Sequence, residues 1–166
     1  MKTLLLMRHA KSSWKENKLK DIDRPLNKRG KKDSAHMGEL LASKKLCPQL
    51  ILSSTALRAR LTAQTVAEKC GYRGEISYLD SLYMAEPNTI AAAIASLPEE
   101  ENSVLLIGHN PGMEALVQMM LGKIESLPTS AIAYFNLSIT HWNEFSIKTQ
   151  ANQCDLWTPP EKKDRK

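Results

Sequence analysis

Lys2–Lys11 reads KTLLLMRHAK, an apolar run over Thr3–Met7 that stops abruptly at Arg8-His9. The run is too short for a helix and suits a buried strand of a parallel sheet. In open parallel sheets ligands bind just beyond the carboxyl ends of the strands, so this arginine and histidine would face such a crevice. Taken alone, the pair reads equally well as a polar strand end. Two later stretches repeat the pattern. Gln49–Ser53 (QLILS) runs into Ser53-Ser54-Thr55 and then Arg58, and Ser103–Ile107 (SVLLI) runs into Gly108-His109-Asn110. If these strands are parallel, all the clusters emerge on one edge, and Arg8, His9, Arg58 and His109 line one pocket. Arg58 falls in the first turn of its helix, where free N–H groups favour an anion, and Asn110-Pro111-Gly112 opens another helix beside His109. The combination suits a phosphoryl group.

Outward from these strands, helical and extended patterns alternate. Leu26–Leu46 carries Ala35, Met37, Leu40, Leu41 and Leu46 at roughly helical spacing, with Asn27 as its cap and Pro48 closing it. Ala56–Cys70 reads as a helix stopped by Gly71, and Pro87–Leu97 as one with proline in its first turn. Glu75–Leu79 alternates as a strand, and a further helix runs from about Met113 to Leu121. Ala131–Ser138 and Phe145–Thr149 read as two final strands, a hairpin finishing the sheet. Ser12–Pro25 is polar and aperiodic, a loop lying over the end of the first strand. The expected fold class is α/β, a three-layer sandwich with a mostly parallel central sheet flanked by helices. No repeat or linker divides the chain, so residues 1–166 are expected to form one domain, with 158–166 a flexible tail.

Composition narrows the function classes. The chain has 166 residues, 42% hydrophobic and 25% charged, and a net charge of +5. That balance fits a globular domain with a sizeable core and favours anionic substrates. No basic patch studded with aromatics and no zinc-finger spacing points to nucleic acid. Cys47, Cys70 and Cys154 are far apart in sequence and in no metal-like spacing, so they read as reduced thiols in a reducing compartment. The amino-terminal apolar run is too short for a signal peptide or a membrane span, and the expected location is cytoplasmic.

Four quoted segments, in order, also carry a family resemblance: Leu6-Met7-Arg8-His9-Ala10-Lys11, Asp23-Arg24-Pro25-Leu26 with Gly30, Ser54 through Arg58-Ala59 to Thr62, and Gly108-His109-Asn110-Pro111. Together they resemble the histidine phosphatase superfamily, whose fold is phosphoglycerate mutase-like. Within it the chain is most similar to the short SixA-like phosphohistidine phosphatases, a likeness to which Thr129-Ser130-Ala131-Ile132-Ala133 adds. The resemblance implies a nucleophilic His9 that takes the phosphoryl group and passes it to water, with Arg8, Arg58 and His109 clamping its oxygens. It implies neither metal nor cofactor. Ala10 stands where the family's arginine-histidine pair is followed by glycine. The acid-rich motif of sugar-phosphate members is missing from Leu79–Asn88, which offers only Asp80 and Glu86 as proton donors; a solvated loop carboxylate or a charge at a helix N-terminus accounts for either more readily.

Phosphohistidine needs such an acid less than an ester does. The favoured substrate is therefore phosphohistidine on a protein, a phosphotransfer domain or carrier. The nearest rival is a small phosphate ester, and a non-catalytic phosphate-binding module is the rival from another class. Lys11 and Arg24 either guide phosphate or a protein partner into the pocket or are plain loop cations. Ser54 and Thr62 either reach the phosphate or, for Ser54, cap the second helix. Trp14, Tyr83 and Met84 read as loop anchors against the core, the alternative being an apolar rim. His36 and His141 read as structural or surface residues.

Overall fold

The computed structural model describes residues 1–151 and 153–161. Its centre is β1 (Lys2–Arg8), in which Leu4, Leu5, Leu6 and Met7 are all fully buried. Strand side chains alternate between faces. Leu4 and Leu6 accordingly join a core with α3 (Pro87–Ala95) and α4 (Gly112–Leu121), while Leu5 and Met7 join a second core with α1 (Lys28–Ser43) and α2 (Leu57–Cys70). Burial on both faces is what turns the sequence of β1 into a continuous apolar run rather than an alternating one. Each of these side chains contributes about 1.5–3 kcal/mol through burial.

The remaining strands are β2 (Leu50–Ser54), β3 (Ser77–Leu79), β4 (Ser103–Gly108), β5 (Ile132–Leu137) and β6 (Gln153–Trp157). Among the described residues they form one six-stranded sheet in the order β3-β2-β4-β1-β5-β6. The pairs β1–β4, β2–β4 and β2–β3 are parallel, whereas β5 runs antiparallel to both β1 and β6. The expected three-layer α/β sandwich with a mostly parallel sheet is therefore the architecture observed. No helix among the described residues is long and apolar enough to cross a membrane.

Local signals set the helix ends. Asn27 caps α1 by accepting from the Gly30 N–H at 2.8 Å, and Gly71 ends α2 in the left-handed region at φ 86°. Gly30 has a second reason to be glycine. A Cβ there would stand 2.1 Å from the Lys11 carbonyl oxygen, so the first turn of α1 presses directly on the chain just past His9.

The last expected strand is misplaced. Phe145–Thr149 does not pair; it is a turn following a short 3₁₀ turn at Trp142–Glu144, and β5 pairs instead with β6. The apolar spacing of Phe145 and Ile147 has another cause. Trp142 is fully buried, donates its indole N–H to the Glu101 carbonyl at 2.6 Å, and brings Phe145 into the core from a turn. Gln153–Trp157 (QCDLW) is an edge strand with little apolar signal, and its Trp157 ring stacks on Tyr134 at 5.3 Å. The expected tail lies mostly outside the described residues, which end at Glu161. Cys47 and Cys70, far apart in sequence, meet in space.

Candidate active site

Parallel register brings the strand ends together. Arg8 stands opposite Gly108 in the β1–β4 pair, so His9 and His109 are the next residues along neighbouring strands, their ring centroids 5.1 Å apart. The His9 backbone N–H donates to the Gly108 carbonyl at 3.1 Å. One residue on, the Ala10 N–H donates to the Thr62 hydroxyl at 3.0 Å, and that hydroxyl donates to the Arg58 carbonyl at 2.7 Å. Thr62 thus pins the chain after His9 to α2. On the other side the Ser130 N–H donates to the carbonyls of Arg8 and His9, from a backbone held at φ 66°. A serine in that region is strained, and such strain persists where surrounding contacts over-determine it.

His9 Nδ1 lies 2.7 Å from the Ala10 carbonyl. A carbonyl only accepts, so Nδ1 carries the proton and Nε2 keeps its lone pair. That lone pair faces Arg58 Nε at 3.4 Å. Arg58 itself is only 2% exposed. Its two terminal nitrogens donate to the Asp21 carbonyl at 2.7 Å and carboxylate at 3.0 Å. His109 is oriented through Ser54, whose hydroxyl meets His109 Nε2 at 2.8 Å and accepts from the Ala56 N–H at 3.2 Å. The Arg58 nitrogen that lies 3.5 Å from His109 Nδ1 can only donate, so Nδ1 accepts there and Nε2 donates to the Ser54 hydroxyl, whose second lone pair takes the Ala56 N–H. Arg8 keeps its buried Nε without a hydrogen-bond partner among the described residues. Such a donor costs about 1–3 kcal/mol unmatched.

These groups surround a cavity of about 450 Å³ lined by Arg8, His9, Lys11, Arg24, Arg58 and His109 together with Ser12, Trp14, Asp21, Met84, Asn110 and Thr129. Residues 4–83 match the histidine phosphatase superfamily, branch 1. SixA from Agrobacterium tumefaciens superposes with a TM-score of 0.80 at 32% identity, over 95% of this chain and 98% of that one. The chain belongs to the histidine phosphatase superfamily. The protein histidine phosphatase SixA, solved in complex with tungstate, superposes with a TM-score of 0.77 at 25% identity, over 92% of this chain and 95% of that one. An uncharacterized protein of Mycobacterium tuberculosis is 33% identical over 148 residues, 82% of this chain and 89% of its own length.

Within this histidine phosphatase fold, the expected site residues divide. Arg8, His9, Lys11, Arg24, Arg58 and His109 all line the cavity. Ser54 and Thr62 are fully buried behind it and act through His109 and Ala10. Glu86 is exposed at the start of α3 and does not line the cavity. Trp14 is no core anchor: it is 75% exposed, with the Arg24 guanidinium 3.5 Å above its ring. Met84 also lies exposed on the rim, and the Tyr83 ring packs edge-on against His109. The exposed His36 and the surface His141, which lies beside Glu99, stay outside the cavity. Asp21 was missed. Its only signal in sequence is the spacing of three residues to Arg24, which it bonds at 3.1 Å.

Burial pushes His9 down to about 4, helped by the charges of Arg58, Arg8 and Arg24 and opposed by the Ala10 carbonyl. Burial likewise pushes His109 down to about 3, with His9 and Arg58 adding to it. Both rings are therefore neutral at pH 7. Two consequences follow from the same sign. Between pH 6.5 and 4 the unfolded chain binds protons that the native rings refuse, so native stability falls as pH falls through that window. Urea midpoints measured from pH 7 to 4 should decline accordingly. Activity reports the free enzyme through kcat/KM. With an aryl phosphate this should show no loss attributable to His9 between pH 7 and 5.5 and then drop as pH approaches 4; a profile still level at pH 3.5 would remove His9 from the nucleophile's role.

The Tyr83 hydroxyl, joined by Arg58 and Arg24, holds the Asp21 carboxyl down to about 2. Asp21 is thus ionised and serves to orient Arg58, and it sets a negative charge beside a cavity lined by Arg8, Arg24 and Arg58. Asp21→Asn should separate the two effects. Tungstate or phosphate inhibition should tighten about fivefold as the repulsion is lost, while kcat should fall about tenfold as Arg58 loses its charged anchor.

Proposed function

We propose that this chain hydrolyses phosphohistidine carried on a protein, a phosphotransfer domain or carrier, through a covalent phosphohistidine on His9. The lone pair on His9 Nε2 attacks phosphorus, a new P–N bond forms, and the bond to the leaving group breaks. Arg8 and Arg58 donate to the non-bridging oxygens, and His109 joins them through Nδ1–H when Arg58 turns to the phosphoryl group and the Ser54 hydroxyl rotates to donate to Nε2; their value lies in alignment and in charge stabilisation. Water then attacks the phosphorus, its proton ends on the released inorganic phosphate, and His9 regains its lone pair. Splitting one hard displacement into two is the gain.

The observation that carries the substrate choice is the ionised Asp21. Among the described residues it is the one carboxylate lining the cavity, and being ionised at neutral pH it holds no proton to give an alkoxide. An imidazole leaving group has an ordinary pKa of about 6.5 and brings a second ring nitrogen that carries its own proton. A protein substrate also suits the rim. The exposed Trp14 and Met84 flank the cavity, and the adjoining segment presents exposed Lys11, Lys15, Lys18 and Lys20. Phosphate release from a phosphohistidine-bearing phosphotransfer protein should exceed that from a panel of sugar phosphates by at least about a hundredfold in kcat/KM. Equal or reversed rates would turn the assignment to a small-molecule phosphomonoesterase. Trp14→Ala provides a second check. It should cost about tenfold in kcat/KM toward the protein and about threefold or less toward an aryl phosphate, because a rim aromatic grips a partner surface rather than the phosphoryl group.

A further inference from the structure

We propose that Cys47 and Cys70 form a reversible disulfide under oxidation by hydrogen peroxide. Cys47 lies in the connection between α1 and β2, and Cys70 is the last residue of α2. Their sulfurs stand 2.7 Å apart, one thiol donating to the other. That separation is already within about 1 Å of bonding distance, about 2.05 Å, so a short approach of the two side chains brings the sulfurs together. Cys70 is buried among Met37, Leu41 and Val66, whereas Cys47 is half-buried and is the sulfur that meets solvent.

The chemistry assigns the order of events. Burial, with Cys47 adding to it, pushes the Cys70 thiol up to about 12, so Cys70 does not react with peroxide first. The Cys47 thiolate attacks peroxide, forming an S–O bond and breaking the O–O bond, and becomes a sulfenic acid with release of hydroxide. Cys70 then gives its proton to that hydroxide, attacks the Cys47 sulfur and expels the sulfenic oxygen as hydroxide, which takes up the proton that Cys47 gave to solvent on ionising and becomes the second water. Two thiols and one peroxide become one disulfide and two waters. Proximity offsets the weak acidity of Cys70, since the second step is intramolecular.

The bond links positions 23 apart in sequence, closing a loop that contains β2 and all of α2, including Ser54, Arg58 and Thr62. It does so from the far end. α2 has 14 residues, so Cys70 sits roughly 20 Å along the helix from the turn that carries Arg58. Oxidation therefore stiffens the unit that holds the active-site groups without entering the cavity.

The test uses the full chain with Cys154→Ser, which removes the exposed third thiol. After hydrogen peroxide treatment the intact mass should fall by about two daltons, both remaining cysteines should resist alkylation, and digestion should yield a Cys47–Cys70 linked peptide. Dithiothreitol should reverse all of this. Constraint of the unfolded chain should raise Tm by roughly 5–10 °C. The proposal is overturned if both thiols remain alkylatable, if Cys47 proceeds to the sulfinic acid with no linked peptide, or if Tm is unchanged or lower in the linked form. All of these readings are made on protein that retains both cysteines, so they do not depend on a Cys47→Ser variant folding.

Discussion

Replacing His9 with alanine should lower kcat by at least about four orders of magnitude and abolish the acid-labile, base-stable phosphoenzyme, while leaving the fold and anion pocket in place. Loss of a covalent nucleophile typically removes nearly all of the acceleration that its whole catalytic unit supplies. The imidazole is fixed by its Nδ1 bond to the Ala10 carbonyl and by the Ala10 N–H bond to Thr62. Those backbone contacts do not involve Nε2, so Arg8, Arg58 and His109 keep their own supports in the variant. Tungstate should still bind His9→Ala within several-fold of the parent. Rapid-quench trapping with labelled substrate, alongside tungstate titration, makes both measurements. A variant that still turns over would be fatal to covalent catalysis at His9. A parent that binds phosphate tightly, never labels and loses nothing in the variant would be a binding module.

Arg58 carries the second large effect. Arg58→Ala should reduce kcat/KM about a thousandfold, the scale seen when a well-placed guanidinium is removed from phosphoryl transfer. One side of this guanidinium is held by Asp21, and the other reaches His9 and His109 at 3.4 and 3.5 Å, so its loss removes the charge that lies between the two rings. Lysine should recover little, because an ammonium cannot span Asp21 and a phosphoryl oxygen with a planar fork. The same substitution withdraws one of the charges holding His9 down, so the acid limb of kcat/KM should move to higher pH in Arg58→Ala. Joint measurement of rate and pH profile separates this electrostatic role from simple damage. A hundredfold or smaller loss with an unmoved acid limb would reduce Arg58 to a structural residue.

The parts of this molecule legible in its sequence are those set by short-range rules. Runs such as Leu4–Met7 and Val104–Ile107 are continuous because both faces of the central strands are covered. Gly71 and Asn27 end and begin helices by local chemistry. Once the sheet was read as parallel, a common edge for His9, Arg58 and His109 followed from strand direction alone. What escaped depends on contacts between distant segments. Asp21 meets Arg58 across 37 residues, and nothing near Asp21 in the chain announces that partner. Trp14 looks like a core residue by type, yet it lies exposed with Arg24 folded over its ring. The final strand was misread because Phe145 and Ile147 are anchors of a turn, whereas β6 sits at an edge where polar side chains are tolerated.

One small contact, from His9 Nδ1 to the carbonyl of the residue that follows it, has a regiochemical outcome. A histidine can be phosphorylated on either ring nitrogen, and the two isomers differ in lability and in what recognises them. Here a main-chain oxygen blocks one of them permanently, so in the proposed reaction the enzyme adduct forms as the τ isomer alone. That choice is built into the peptide backbone, where no exchange of side chains elsewhere in the pocket can undo it.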